Sequence, residues 1–211
     1  VVDLLAVGDG EQRVLWATTR SRGLARLRGG TWTYFGTREG YPTDEYFGMT
    51  LLPDAGNRPV LWLGTDDRGL VRLDISNPDK PVEVTRPALP EPPDPYVYGV
   101  QRDGSGDLIV CTNHGAARWP PRPDGSFDTL NFNRSDGLPH DECNSGAMST
   151  DAHGRVWIGT IGGAAVYMPR PSDYARQPAP LRLTRALSAD RDRTAEFGAS
   201  QGTLDDAAQT L

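Results

Sequence analysis

Histidine, methionine and cysteine are scarce in this sequence, at three, three and two among 211 residues. The histidines, His114, His140 and His153, are dispersed. No Gly-x-Ser-x-Gly elbow, phosphate-cradling glycine loop or His-Glu-x-x-His helix accompanies them, so no catalytic constellation is legible. Cys111 and Cys143 are too few for a disulfide framework and lack metal-site spacing. They are expected to be two unpaired, mostly buried thiols, which leaves the redox compartment unread. No apolar run approaches the roughly 18 residues that span a bilayer. No charged and apolar leader opens the chain, because residues 1–7 already look like a strand running into a turn at Gly8. The chain is therefore expected to begin inside a larger protein. A basic surplus is also missing: the net charge of −6 argues against a nucleic-acid or anionic-membrane partner. The expectation from these absences is no metal and no cofactor.

What is present is glycine, proline and repetition. The 24 glycines and 18 prolines fit a turn-rich β protein. One phrase occurs four times: Leu15-Trp-Ala-Thr-Thr with Gly23-Leu-Ala-Arg-Leu, Leu61-Trp-Leu-Gly-Thr with Gly69-Leu-Val-Arg-Leu, Leu108-Ile-Val-Cys-Thr with Gly115-Ala-Ala-Arg-Trp, and Val156-Trp-Ile-Gly-Thr with Gly163-Ala-Ala-Val-Tyr. Its second positions, Trp16, Trp62, Ile109 and Trp157, are spaced by 46, 47 and 48 residues. That period fits an array with one four-stranded sheet per repeat. Strand a is expected over 1–7, 46–52, 96–102 and 143–150. A polar turn with Gly8, Gly56, Gly104 or Gly154 then leads to strand b. Strand b is apolar on both sides of the pleat, so both faces must be covered, as in a blade stacked between neighbours. Strand c comes after a short glycine loop, and strand d is expected over 31–35, 82–86 and 127–132.

The expected fold is all-β, a β-propeller of four repeats at about 1–45, 46–95, 96–142 and 143–168. A Pro-rich linker is expected at 169–180, with 181–211 as a separate piece after it. An arc of a larger propeller is favoured over a closed four-bladed ring. An open arc leaves a blade face bare at each end, so it should dimerise, bind the missing blades or be marginally stable.

Alternating strands put the b-to-c loops and the d-to-a loops on one side. That side collects the candidate ligand-binding residues Arg20, Tyr46, Asp66, Tyr96, Asn113, His114, His140, Glu142 and Asn144. Rings beside carboxylates, amides and an arginine suit a polar ligand with an apolar face, such as a sugar. Glu142 with Asn144 is the strongest polar pair, although such a pair often satisfies nearby backbone. On the other side, Asp103-Gly-Ser-Gly-Asp hints at a calcium loop but is too short, and it reads as a plain turn. His153 reads as exposed filler in the same kind of turn.

Residues 1 to about 168 resemble the two-component-regulator propeller repeats of extracytoplasmic sensor regions in bacterial histidine kinases and diguanylate cyclases. The fourth repeat carries the likeness best, with Asp136-Gly-Leu-Pro, Asp151-Ala-His-Gly, Val156-Trp-Ile-Gly-Thr and Gly162-Gly-Ala-Ala-Val-Tyr in family order. Its Glu142-Cys-Asn-Ser-Gly is similar to the variant of the terminal blade that precedes an immunoglobulin-like (Y_Y_Y) domain. The third repeat departs from the pattern at Ile109 and Cys111, and Pro90 to Pro95 replaces its Asp-Gly-Leu-Pro loop. The strand at 181–187 is then either the start of the immunoglobulin-like domain or strand d of blade four.

The resemblance implies a non-catalytic, periplasmic sensor module that passes the binding of a carbohydrate-derived ligand to a kinase or cyclase. Its implied partners are further blades, the immunoglobulin-like domain and a second copy in a homodimer. Two other readings stay open. One is a periplasmic lyase or glycan hydrolase working through His140, Asp141 and Glu142; the other is a purely structural scaffold.

Overall fold

Each repeat closes into one up-and-down antiparallel sheet in the computed structural model, and the four sheets succeed one another as the blades of a β-propeller with almost no helix. Blade one holds β1 (Leu4–Val7), β2 (Val14–Thr18), β3 (Leu24–Arg28) and β4 (Thr31–Phe35). Blade two holds β5 (Tyr46–Leu51), β6 (Val60–Thr65), β7 (Leu70–Asp74) and β8 (Val82–Glu83). Blade three holds β9 (Val97–Arg102), β10 (Leu108–Thr112), β11 (Gly115–Trp119) and β12 (Leu130–Phe132). Blade four, over the described residues, is three-stranded: β13 (Cys143–Thr150), β14 (Val156–Thr160) and β15 (Gly163–Tyr167).

The structure describes residues 1–10, 13–54 and 56–169. Beyond them it describes only the short strands β16 (Leu181–Arg182), β17 (Leu187–Ser188), β18 (Arg191–Asp192) and β19 (Gln201–Gly202). β16 pairs with β19 and β17 with β18. These belong to a second compact unit, Arg170–Leu211, apart from the blades at Val1–Pro169. The expected linker, and most of the strand expected over 181–187, lie outside the described residues.

The repeated phrase encodes one hairpin. In every blade a threonine at the end of strand b donates from Oγ1 to the carbonyl of the glycine that starts strand c: Thr19 to Gly23, Thr65 to Gly69, Thr112 to Gly115 and Thr160 to Gly163, at 2.7 to 3.0 Å. All four glycines have positive φ, a conformation that other residues enter at a cost. A Cβ on Gly23 would also lie 2.1 Å from the Phe35 carbonyl oxygen. The opposite turns repeat as well. Oδ1 of Asp54, Asp103 and Asp151 accepts from the backbone N–H groups two and four residues on. In the Asp103 turn, Oδ1 thus serves the turn's own backbone.

Three apolar seams join the blades. Val14, Trp16 and Phe35 pack against Leu61, Leu63 and Leu73; Val60, Trp62 and Leu70 against Leu108, Val110 and Trp119; Ile109, Cys111 and Ala116 against Cys143, Val156 and Ile158. The expected equivalence of Trp16, Trp62, Ile109 and Trp157 holds in the ladder, where they face Arg26, Arg72, Arg118 and Val166 in turn. Burial separates them. Trp16 and Ile109 are fully covered and Trp62 is 4% exposed, whereas Trp157, with no blade stacked on it among the described residues, is 43% exposed.

The cysteines overturn the expectation of free thiols. Cys111 and Cys143 form a disulfide across the seam between blades three and four, and no described cysteine is free. The repeat explains why they meet. In blade two, Gly64 precedes the strand-ending threonine, and a Cβ there would touch Val97, the first residue of β9, with its carbonyl oxygen at 2.5 Å. Cys111 and Cys143 occupy those same two stations one blade later: Cys111 precedes Thr112 as Gly64 precedes Thr65, and Cys143 pairs with Thr160 as Val97 pairs with Thr112.

Candidate functional site

The innermost strands lose register next to the loop-rich face. In β5, Tyr46 and Met49 pair with Thr65 and Leu63, leaving one extra residue. β9 has one extra residue between Val97 and Gly99, and β13 has three between Cys143 and Met148. Such bulges re-aim side chains at the rim of a sheet. Here they turn Phe47, Tyr98 and Ser145 toward one another's surroundings. The bulge in β13 turns on Gly146, φ +67°, whose Cβ position lies 3.9 Å from the Val2 carbonyl oxygen of blade one.

Two half-buried rings, Tyr96 and Tyr98, form the centre of the site, and they pack on Phe47, which is fully buried beneath them. Tyr96 and Tyr98 have centroids 4.7 Å apart, and Phe47 lies 5.1 Å from Tyr96 and 6.1 Å from Tyr98. The Arg20 guanidinium sits 5.3 Å from the Phe47 centroid and donates to Ser145 Oγ at 3.3 Å, so blade one reaches blades two and four. A cation over a ring face is attracted by its quadrupole. The Tyr98 hydroxyl donates toward Asn113 Oδ1 at 3.4 Å, and Glu142 lies near enough to act on its titration. Burial, then Glu142, Tyr96 and Asp94, raise the Tyr98 pKa above 10.0. Burial and Glu45 raise that of Tyr96, Arg20 opposes them, and Asp66 adds to the rise.

The remaining expected residues separate. Asp94 accepts from Tyr96 N–H through Oδ1 at 2.8 Å, and its Oδ2 meets His114 Nδ1 at 2.6 Å, so His114 stands on the rim with its own carboxylate. His140 Nδ1 accepts from the Glu142 backbone N–H at 3.0 Å, which leaves any ring proton on Nε2. Asn144 is exposed on the bulge and Asp66 is half-buried in its loop. Tyr46 is not at the mouth. It is fully buried in the seam between blades one and two, where burial and Glu83 push its pKa up. Phe47, Tyr98 and Ser145 are the members that sequence reasoning missed. The signal for two of them was an aromatic residue before glycine, Phe47-Gly48 and Tyr98-Gly99, in the same phase of two repeats.

This arrangement can cover the apolar side of a small ligand with the Tyr96 and Tyr98 rings and meet its polar groups with Arg20, Asn113 and Glu142. Of the residues in the hydrolase or lyase reading, Asp141 Oδ1 accepts from Arg134 N–H at 2.8 Å and His140 Nδ1 is engaged by backbone. Among the described residues, no three His, Cys, Asp or Glu groups are placed to hold a metal ion, and no helix is long and apolar enough to cross a membrane.

Fold and mouth together define a β-propeller with an aromatic, carboxylate-rich centre on its loop face. Solved structures share that fold. The extracellular domain of a protein assigned to a hybrid two-component system, BT3049 from B. thetaiotaomicron, matches 89% of this chain and 25% of its own, at 18% identity and a TM-score of 0.60. PorZ, a surface component of the type-IX secretion system of Porphyromonas gingivalis, matches 77% of this chain and 25% of its own, at 17% identity and a TM-score of 0.52. The chain thus spans about a quarter of the structures it matches. No protein-family model and no curated protein matches the sequence.

Proposed function

We propose that this propeller is the ligand-binding module of an extracytoplasmic bacterial sensor, and that occupancy of its mouth biases a downstream kinase or cyclase. The observation that carries the reading is the half-buried pair of rings Tyr96 and Tyr98, backed by buried Phe47 with Arg20 over it and neighboured by Glu142 and Asn113. The Cys111–Cys143 disulfide supports an oxidising compartment, where such bonds persist. The likeness to an extracellular domain of a two-component system points the same way. A carbohydrate-derived ligand suits rings flanked by hydrogen-bonding groups. Blades that complete the ring and an adjoining immunoglobulin-like domain are the partners this reading implies. Binding signals only through a difference in affinity between two states of the assembly.

The test is calorimetric titration with a panel of neutral, acidic and amino sugars and their short oligomers. At least one is expected to bind the parent and to lose about tenfold or more in affinity in Glu142→Gln or Tyr98→Ala, with the fold intact. Asn144→Ala is expected to weaken it less, because Asn144 lies outside the ring cluster. Binding unchanged in all three variants would place the ligand elsewhere, and variants that unfold would make the pair structural.

A further inference from the structure

The loop side of the propeller repeats as closely as the seams do. The N–H of the glycine that starts strand c donates to a carbonyl just before the next innermost strand: Gly23 to Asp44, Gly69 to Pro95 and Gly115 to Asp141, at 2.7 to 2.9 Å. The residue after each acceptor, Glu45, Tyr96 or Glu142, therefore holds one station in blades two, three and four. Two of the three are tied again to their own blade. The Tyr96 carbonyl accepts from Asn113 N–H and the Glu142 carbonyl from Ile161 N–H, both at 3.1 Å. β5, β9 and β13 adjoin one another, so Tyr96 stands between two blades whose equivalent residues are both glutamates.

A second station follows the threonine that ends strand b and holds Arg20, Asp66, Asn113 and Ile161 in blade order. The two stations together set Glu45, Glu142 and Asp66 against Arg20 alone. Among the described residues, the ion pairs of these loops are Asp94 with His114 at 2.6 Å and Asp67 with Arg68 at 3.9 Å. Glu45, Asp66 and Glu142 have no cation in salt-bridge contact. Arg20 is held elsewhere, by Ser145 Oγ and over the Phe47 ring, and Arg22 lies over Tyr34 in the outer strand of blade one. All three carboxylate residues are half-buried, and they act on the rings: Glu45 and Asp66 on the titration of Tyr96, Glu142 on that of Tyr98. Carboxylates in a partly buried mouth focus a negative potential. Tyrosine ring faces attract the same sign of guest.

We infer that the ligand of the mouth carries a protonated amine, bound at the Tyr96 and Tyr98 rings between Glu45 and Glu142, and that it is a free amino sugar. The inference rests on the mouth being the ligand site and adds the class of ligand. An ammonium meets the unpaired carboxylates through charge-assisted hydrogen bonds, which are roughly twice as strong as neutral ones. An N-acetyl group loses that gain, and a uronate adds a like charge to three already there.

Calorimetric titration of the whole chain with disaccharides of glucosamine and galactosamine, each beside its N-acetylated and its hydroxyl counterpart, reads the charge directly. The amino form of at least one series is expected to bind about tenfold or more tightly than both counterparts. Raising salt from about 0.05 to about 0.5 M is expected to erode that advantage. Glu45→Gln is expected to cut the ratio of amino to hydroxyl affinity about tenfold with the fold intact, and Asp66→Asn to shift it the same way. Cadaverine, an amine without a sugar ring, is expected to bind at least about tenfold more weakly than the amino sugar. A neutral or acidic sugar that binds as tightly as the amino form, yet loses affinity in Tyr98→Ala, would overturn the amine while keeping the mouth as the ligand site. An amino preference indifferent to both Glu45→Gln and Glu142→Gln would overturn the placement between the glutamates, and cadaverine binding as tightly would overturn the sugar. No binding by any of these sugars, or binding indifferent to Tyr98→Ala, would overturn this inference and the ligand site together.

Discussion

Breaking the Cys111–Cys143 bond should cost the protein a large part of its stability. The two residues are 32 positions apart. For a loop of that length the chain-entropy relation gives about 3.7 kcal/mol at room temperature, because the open chain regains conformations the crosslink denies to the unfolded state. Reduction isolates this effect, since both sulfurs stay in the apolar cluster of Ile109, Ala116, Val156 and Ile158. Replacing both cysteines with alanine adds the loss of two buried sulfur atoms, on the order of 1 kcal/mol more. Domains of this size have total stabilities of about 5–15 kcal/mol, so the change is not a detail. Urea unfolding monitored by tryptophan fluorescence, with and without a dithiol reductant, measures it directly. At urea slopes of about 1–3 kcal/mol/M the midpoint should fall by roughly 1–4 M on reduction. Coincident curves would refute the reasoning, as would two thiols reacting with a thiol reagent in the folded, unreduced protein. If the blades unfold in separate transitions, the loss should fall on the transition that includes blades three and four, since only their seam is crosslinked.

The seam between blades two and three offers a second test: Trp62 is buried beside Phe127, 5.4 Å between centroids, with Arg72 over its ring, and Trp62→Ala is expected to lower stability in urea by about 3–5 kcal/mol. Trp157→Ala, at a position 43% exposed, should cost under about 1 kcal/mol, and equal losses at the two stations would contradict the burial contrast. Burial raises the Asp103 carboxyl above 3.8, and its Oδ2 has no hydrogen-bond partner. The folded state therefore holds a proton that the unfolded state releases first, so this residue's contribution to stability declines as pH rises from about 3.8 through its raised folded value. Asp103→Asn should remove that decline, and thermal melts across the acid range that differ from the parent by a constant amount would refute it. Asp151 has the opposite sign. Burial raises its pKa, but hydrogen bonds from Trp157 Nε1, Arg155 and the His153 backbone outweigh it and hold the carboxyl below its usual range. Asp151→Asn should therefore be less stable than the parent at neutral pH and approach it as the medium is acidified below the usual carboxylate range.

The blades were legible because their rule is local and repeats. Threonine and a positive-φ glycine close each b-to-c hairpin, and strand b is apolar on both sides, so four copies announce stacked sheets without any long-range information. The crosslink was not legible from cysteine spacing, because its cause is the alignment of two repeats. Only when Cys111 is placed on Gly64 and Cys143 on Val97 do the cysteines become neighbours across a seam. The mouth failed for another physical reason. Side chains in a strand alternate with period two, so each unrecognised extra residue sends the rest of its strand to the other face. Tyr46, taken for the mouth, keeps ladder register with Thr65 and enters the seam between blades one and two; Phe47, one step into the bulge, is buried on the other side, beneath the Tyr96 and Tyr98 rings. With one, one and three extra residues in β5, β9 and β13, the bulges differ in just the strands whose ends meet at the centre. The seams need the period and keep it. The mouth is built where the period breaks, so a repeat-based reading loses register at the residues that give this propeller its individual chemistry.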